Sequence, residues 1–267
     1  MPPLSIIGYT NPTIDYVKII FVKEIKMTRI FIQNDIGDKE TFTLDREDSH
    51  YLISVLRMRP GEELIIVDGP GKENVAEIED ASKEAVTVRL KERRECLSER
   101  EGRITLYQSV SKGERMDLTI QKSVELGVTR IVPVFSERCV VKPSKDGKKT
   151  DRWQKIALEA ARQSGRGIVP EVSEPMTFKE AVKDSGNRKL ILFPWEEEHG
   201  TTLKQAIEGK DLSDIGFFIG PEGGFTAEEA DMAEKAGAHK VTIGKRILRT
   251  ETAGPAVLAM LLYHTEL

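Results

Sequence analysis

The run at residues 215–220, IGFFIG, carries no charge and stops at a glycine. A strand with apolar side chains on both faces must be covered on both faces, the condition of a central strand in a parallel α/β sheet. KLILF at 189–193 has the same character. The segments around these runs carry a helical period instead. DRWQKIALEAARQSG places Trp153, Ile156, Ala157, Ala160, Ala161 and Ser164 on one stripe, closed by Gly165. GERMDLTIQKSVELG aligns Met116, Ile120 and Val124 and ends at Gly127, a residue suited to a helix C-terminus. TAEEADMAEKAG opens on a Thr226–Glu229 capping pattern, and AGPAVLAMLLY is an apolar closing helix. From about residue 102, strands alternating with helices predict an α/β domain with a mainly parallel sheet.

The preceding region reads differently. RIFI, TFTL, ELIIVDG, NVAEIED and AVTVRL are short strands bounded by Gly, Pro and Asp turns, and EDSHYLISVLRM is the one helical exception. That pattern over residues 27–97 predicts a small β-barrel. The charged stretch KERRECLSEREG is expected to link it to the domain at 102–267. Residues 1–26 read as an appendage, and Met27 offers a second, cleaner start. The apolar stretch TIDYVKIIFVKEIK is interrupted by Asp15, Lys18, Lys23 and Glu24 and has no small-residue cleavage site, so it is not read as a signal peptide.

Composition narrows the function. The net charge of −4 means that contact with nucleic acid needs a local basic patch rather than a polycationic chain. Cys96 and Cys139 have no paired spacing, which fits a reducing cytoplasm and gives no disulfide framework. The four histidines and two cysteines show no metal-ligand spacing, so no metal is expected. No apolar run reaches the length of a membrane span.

Two glycine loops remain. IGPEGGFT at 219–226 follows a strand and precedes a helix, at the sheet edge where open α/β folds bind ligands. It reads either as a tight βα connection or as a ligand cradle. It lacks the lysine of a phosphate loop and the spacing of a dinucleotide fingerprint. Glu222 opposes a phosphate, so a cradle here suits a neutral or cationic ligand such as S-adenosylmethionine. IGKRILRTETAG at 243–254 again meets a glycine after a strand, and Lys245, Arg246 and Arg249 crowd the loop. Thr250 and Thr252 suit a helix N-cap, and Glu251 suits the positive end of its dipole.

Together these two motifs resemble the ribosomal RNA uracil-N3 methyltransferase family, of the knotted SPOUT class. HYLISVLRMRPGEEL, SKGERMDLTIQKSVELGV, PVFSERCVVK and RWQKIALEAARQSGRGIVPEV resemble the family's further blocks in the same order. The likeness spans about residues 27–267, with Ile243 where leucine is usual and Cys139 where serine is usual. It implies a SPOUT-type trefoil-knotted α/β domain after a PUA-like β-barrel, a homodimer, and methylation of N3 of a uridine in 16S ribosomal RNA of the small subunit. The alternatives are a SPOUT enzyme acting on transfer RNA and a non-catalytic assembly factor. The likeness further implies that S-adenosylmethionine is held by Gly220, Ile243 and Leu248, with Ile219, Pro221, Glu222, Gly223, Gly244 and Phe193. Glu222 is expected either to shape its turn by accepting hydrogen bonds or to face the sulfonium. Arg249 is the first candidate for the catalytic cation, with Arg166 and Gln163 after it. Arg29, His50, Arg57 and Arg59 are the RNA-binding candidates of the barrel.

Overall fold

A computed structural model describes residues 27–266 except 34, 38, 70, 83 and 143–147; the expected appendage 1–26 lies outside them. The described chain forms two compact units, one of residues 27–95 with 163–165 and one of residues 96–162 with 166–266.

The first unit is a mixed sheet. Strands β1 (Arg29–Phe31), β2 (Thr41–Thr43), β3 (Glu63–Gly69), β4 (Lys72–Ala81) and β5 (Val86–Glu95) are ordered β1-β3-β4-β5-β2. Only the β1–β3 pair is parallel. The register slips between Val67 and Gly69 and at two points along β4, irregularities that bend and twist a sheet. Ile30, Leu52, Leu64, Ile66, Ile78 and Val88 fill one side of it. The segment expected to be one helix is shorter and mixed. Helix α1 (Arg46–His50) is capped by the Asp45 carboxylate and runs into a single π-helical turn, Tyr51–Val55. Arg57 then takes a left-handed φ of 59°, so the helical path is over before Pro60. The expected linker also begins later, because Lys91–Glu95 continue β5.

The second unit is built on a seven-stranded parallel sheet. It uses β6 (Arg103–Ser109), β7 (Arg130–Phe135), β8 (Glu171–Val172), β9 (Met176–Thr177), β10 (Leu190–Pro194), β11 (Asp214–Ile219) and β12 (His239–Val241). Their order is β12-β10-β11-β6-β7-β8, with β9 also on β7. The central strands β6 and β11 are almost wholly buried, β11 through its apolar run and β6 with the polar Thr105, Gln108 and Ser109 buried as well. An aromatic core lies against them: the Tyr107 and Phe218 rings stack with centroids 4.5 Å apart, and Phe178, Phe193 and Phe225 complete the cluster.

The helices of this unit are α2 (Glu114–Glu125), α3 (Lys148–Ser164), α4 (Phe178–Ser185), α5 (Leu203–Ile207), α6 (Ala227–Lys235) and α7 (Thr250–Glu266). The capping box at Thr226 and Glu229 is present, and Gly127 and Gly165 adopt positive φ after α2 and α3. Helix α7 begins earlier than its apolar run suggests. The chain leaves β12 at the sheet edge, then returns inward so that α7 packs on α2 and touches β11. Gly254 lies on this face, where a Cβ would make ordinary contact with Gln108 Oε1 at 3.5 Å and Leu106 at 3.6 Å. Val257, Leu258 and Leu261 are fully buried on this face.

Candidate active site

The turn at 220–226 is held from several sides. Gly224 donates its N–H to the Pro221 carbonyl at 2.9 Å and takes a φ of +67°, the left-handed region that glycine adopts freely. Gly220 needs its missing Cβ for another reason: a methyl there would press to 3.3 Å on the Gly224 backbone and the Phe225 ring. Glu222 Oε1 accepts from the Lys112 backbone N–H at 3.2 Å and from Arg115 Nη1 at 2.7 Å. Burial pushes the Glu222 carboxyl up, but bonds from its own backbone, Arg115 and Lys112 outweigh burial and hold it below the ordinary carboxyl value. Arg138 Nη1 donates to the Gly223 carbonyl at 2.9 Å. Glu229, capping α6, also accepts from the Glu137 N–H at 2.8 Å. Segments following β6 and β7 thus fix the turn that follows β11.

The second loop, 242–249, starts with a local turn. Thr242 Oγ1 accepts from the Gly244 N–H at 3.3 Å and donates to the Gly244 carbonyl at 3.2 Å. Gly244 takes a φ of +132°. At its far end Thr250 does not act as an N-cap. Its hydroxyl accepts from Gln108 Nε2 at 2.9 Å and donates to the Gly220 carbonyl at 2.7 Å. The start of α7 is therefore tied both to β6 and to the glycine turn.

The two loops face a third segment at the carboxyl end of β10, and the three enclose a cleft of about 540 Å³. Trp195 and Glu196 line that third side. The Lys240 ammonium lies 5.2 Å from the centre of the Trp195 ring, within cation–π range. The Glu196 carboxylate lies against Gly224, where any Cβ would meet it.

The cleft is of the size that buries a small organic ligand. Its chemistry is specific. Glycines permit close backbone approach, Ile219, Ile243 and Leu248 give apolar contact, and Glu196 and Glu222 line it together with Lys245 and Arg246. S-adenosylmethionine, a cation with an apolar-faced adenine and hydrogen-bonding ribose, fits that donor set.

Of the residues singled out from sequence, Ile219, Gly220, Pro221, Glu222, Gly223, Ile243, Gly244 and Leu248 all line this cleft. Phe193 does not. It is fully buried in the aromatic core, because alternate side chains of a strand covered on both faces enter one packed layer or the other. Arg249 is exposed on the loop, between the lining residues Leu248 and Thr250. Arg166 is buried rather than free. It forks onto Glu99 through Nε at 2.7 Å and Nη2 at 2.9 Å, while Nη1 donates to the carbonyls of Val124 and Val128. Four of its five N–H groups are bound within the protein, an arrangement that suits a structural clamp better than a free cation. Gln163 is exposed in the last turn of α3 and is not among the lining residues. In the first unit, Arg29 is buried and paired with Glu73 at 2.5 Å, an internal ion pair rather than a phosphate contact. His50, Arg57 and Arg59 are exposed. Trp195, Glu196, Arg115 and Arg138 were not among the sequence candidates. The Trp–Glu pair directly after an all-apolar strand is the one signal that pointed to any of them.

Comparison with known proteins agrees with this geometry. Residues 98–262 match the family described as RNA methyltransferase domain, and residues 44–91 match the RNA methyltransferase PUA domain. The chain is 34% identical over 243 residues to the ribosomal RNA small subunit methyltransferase E of Buchnera aphidicola subsp. Acyrthosiphon pisum, covering 90% of this chain and 94% of that protein. It is 31% identical over 254 residues to the protein of the same description from Bacillus subtilis, covering 90% and 98%. Among solved structures, the ribosomal RNA small subunit methyltransferase E from Neisseria gonorrhoeae bound to S-adenosyl methionine superposes with a TM-score of 0.79 at 38% identity, over 89% of this chain and 98% of that one.

Proposed function

Since the chain belongs to the ribosomal RNA small subunit methyltransferase E family, we propose that it methylates N3 of a uridine in 16S ribosomal RNA, with S-adenosylmethionine as the donor. The observation that carries this reading is the pairing of two loops, 220–226 and 242–249, in one cleft whose glycines and carboxylates suit that cofactor. When bound, S-adenosylmethionine supplies an electrophilic methyl group on a sulfonium.

The protein's own work is positioning and proton handling. The braced turn presents Gly220 and Gly223 at a fixed place, and Ile219, Ile243 and Leu248 offer the apolar contacts. Holding two reactants in line removes much of the entropy cost of their meeting. Neutral uracil N3 still carries a proton and is a poor nucleophile. Arg249, an exposed cation bordering the cleft, is placed here as the group that favours the deprotonated ring by stabilising its negative charge. The exposed His50, Arg57 and Arg59 of the first unit are assigned to RNA phosphates, whose contacts dominate affinity. Arg29, Arg166 and Phe193 are given no such roles, for the reasons of burial and pairing above.

Two further features belong to this reading. Leu118 on α2 and Met260 and Tyr263 on α7 are exposed although these two helices pack together, and we assign that apolar surface to a homodimer contact. The return of the chain through 242–249 to α7 is assigned to the trefoil knot of the SPOUT class. Among the described residues no helix is long and apolar enough to cross a membrane.

The test is a transfer assay with labelled S-adenosylmethionine and small ribosomal subunits from a strain lacking this enzyme, followed by mass spectrometry of the digested nucleosides. Labelled 3-methyluridine is the expected product. Cofactor binding without label in that RNA points to another RNA, such as transfer RNA. Neither binding nor label overturns the enzyme reading and leaves a non-catalytic assembly factor.

A further inference from the structure

Arg115 lies outside the cleft yet reaches two of the segments that border it, the glycine turn and the start of α7. It is the second residue of α2, and its side chain is about half exposed. Its Nη1 is 2.7 Å from Oε1 of Glu222, in the glycine turn. Its Nε is 4.0 Å from Oε1 of Glu251, in the first turn of α7, directly after Thr250. Neither Arg115 nor Glu251 is among the lining residues. The two carboxylates belong to segments that meet only through the fold, and one guanidinium stands between them.

We propose that Arg115 is a positioning residue that sets the spacing of the two cofactor loops by holding Glu222 and Glu251 on one guanidinium. The physical case is the charge balance. Two carboxylates facing the same small space repel, and both are partly shielded from water: the Glu251 side chain is 14% exposed and the Glu222 side chain 29%. With Arg115 present, each gains an attractive partner instead. The planar, forked guanidinium serves two carboxylates at once, whereas a lysine ammonium is a single point charge. The Thr250–Gly220 hydrogen bond joins the same two segments on the buried side. Arg115 joins them at the surface. One tie acts as a hinge; two ties fix an opening. The affinity of a preformed cleft depends on that fixed opening, since a ligand that must first order the loops binds more weakly.

This inference rests on the cofactor assignment above, and the experiment separates the two. Calorimetric titration of the full-length protein with S-adenosylmethionine, without RNA, reads the cleft directly. Arg115→Ala is expected to bind about tenfold more weakly than the wild type, the usual scale for losing a charge-assisted hydrogen bond. Arg115→Lys is expected to fall between them. Arg115→Ala combined with Glu251→Gln is expected to recover part of the loss, because one of the two repelling charges is gone. Added salt is expected to strengthen binding by Arg115→Ala, by screening the same repulsion. Thermal unfolding of each variant checks the fold; if Arg115→Ala does not fold, Arg115→Lys and Glu251→Gln carry the comparison. A wild type that binds no S-adenosylmethionine overturns the cofactor assignment. A wild type that binds, with Arg115→Ala binding equally well, overturns only the role of Arg115. Equal weakness in Arg115→Ala and in its combination with Glu251→Gln overturns the charge-spacing argument.

Discussion

The hydroxyl of Thr250 donates a 2.7 Å hydrogen bond to the carbonyl of Gly220, joining the first residue of the last helix to the end of a strand in the middle of the sheet. The same hydroxyl accepts from Gln108 Nε2, and both Thr250 and Gln108 are buried. Replacing Thr250 by valine keeps the shape and leaves the Gln108 donor and the Gly220 acceptor without that partner. An unsatisfied buried group costs about 1–3 kcal/mol. The urea midpoint of Thr250→Val should fall by a corresponding amount, and S-adenosylmethionine affinity should fall with it.

Gly220→Ala tests close approach without backbone strain. Its φ is not in the left-handed region, so only the contact to Gly224 and Phe225 opposes a methyl group. The expected result is a folded protein, by circular dichroism, with cofactor affinity reduced about tenfold as the turn shifts by a few tenths of an ångström.

Arg249→Ala should separate binding from chemistry. Because Arg249 is exposed and the cleft lining does not include it, cofactor affinity should change little. Turnover of the RNA substrate should fall by about 100- to 1,000-fold if the arginine stabilises the uracil anion, the range seen for removal of a single charge-stabilising donor. Single-turnover kinetics with saturating RNA measures this without the binding step.

Arg166→Met should behave in the opposite way. Removing one member of a buried, forked ion pair leaves Glu99 uncompensated and typically costs about 3–5 kcal/mol. The loss should appear in chemical denaturation at once, with or without RNA. Retained stability with lost turnover would restore a catalytic role for Arg166.

The Tyr107–Asp184 pair sets a pH window. Burial pushes the Asp184 carboxyl up, but hydrogen bonds from Tyr107 and Arg130 and the charges of Arg130 and Arg188 hold it below its ordinary 3.8. A depressed carboxyl stabilises the fold above its unfolded value, and that stability is lost as pH falls through the folded value. Burial, and then the bond to Asp184, raise the Tyr107 phenol above its ordinary 10.0. Above pH 10 the unfolded chain releases this proton while the folded one keeps it, so stability falls again. Urea midpoints measured across pH should show both limbs. Asp184→Asn should flatten the acid limb, and Tyr107→Phe the alkaline one.

Much of this candidate site is legible in the sequence. The all-apolar runs around Leu192 and Phe217 require a sheet covered on both faces, and a glycine turn after such a strand marks its ligand edge. The residues of the two loops are local in sequence, so local reading names the same residues that line the cleft. Arg29 and Arg166 were misjudged for one reason: a lysine or arginine in a sequence looks solvated until its partner is known. The partners here, Glu73 and Glu99, are 44 and 67 residues away. Phe193 was misplaced because period-2 burial cannot say which covered face opens to a cleft. Arg115 and Arg138 were missed because they act on the turn from segments after other strands. Only the strand order β10-β11-β6-β7 brings those segments together.

The seam between α7 and the glycine turn has a consequence for synthesis. Strand β6 and the turn at 220–226 are made well before Thr250, yet neither has its final partner until that residue and the helix after it emerge. Contacts between such distant stretches close slowly compared with local ones. At about 5–20 residues per second, a translating ribosome adds the intervening stretch within several seconds. Through that interval the nascent chain holds a turn without the helix that anchors it, so cofactor capture is deferred until translation of the domain is nearly complete. Premature stop codons even a short way upstream of residue 250 should therefore yield inert chains, while the first unit, whose strands all precede residue 96, has its whole sheet in hand.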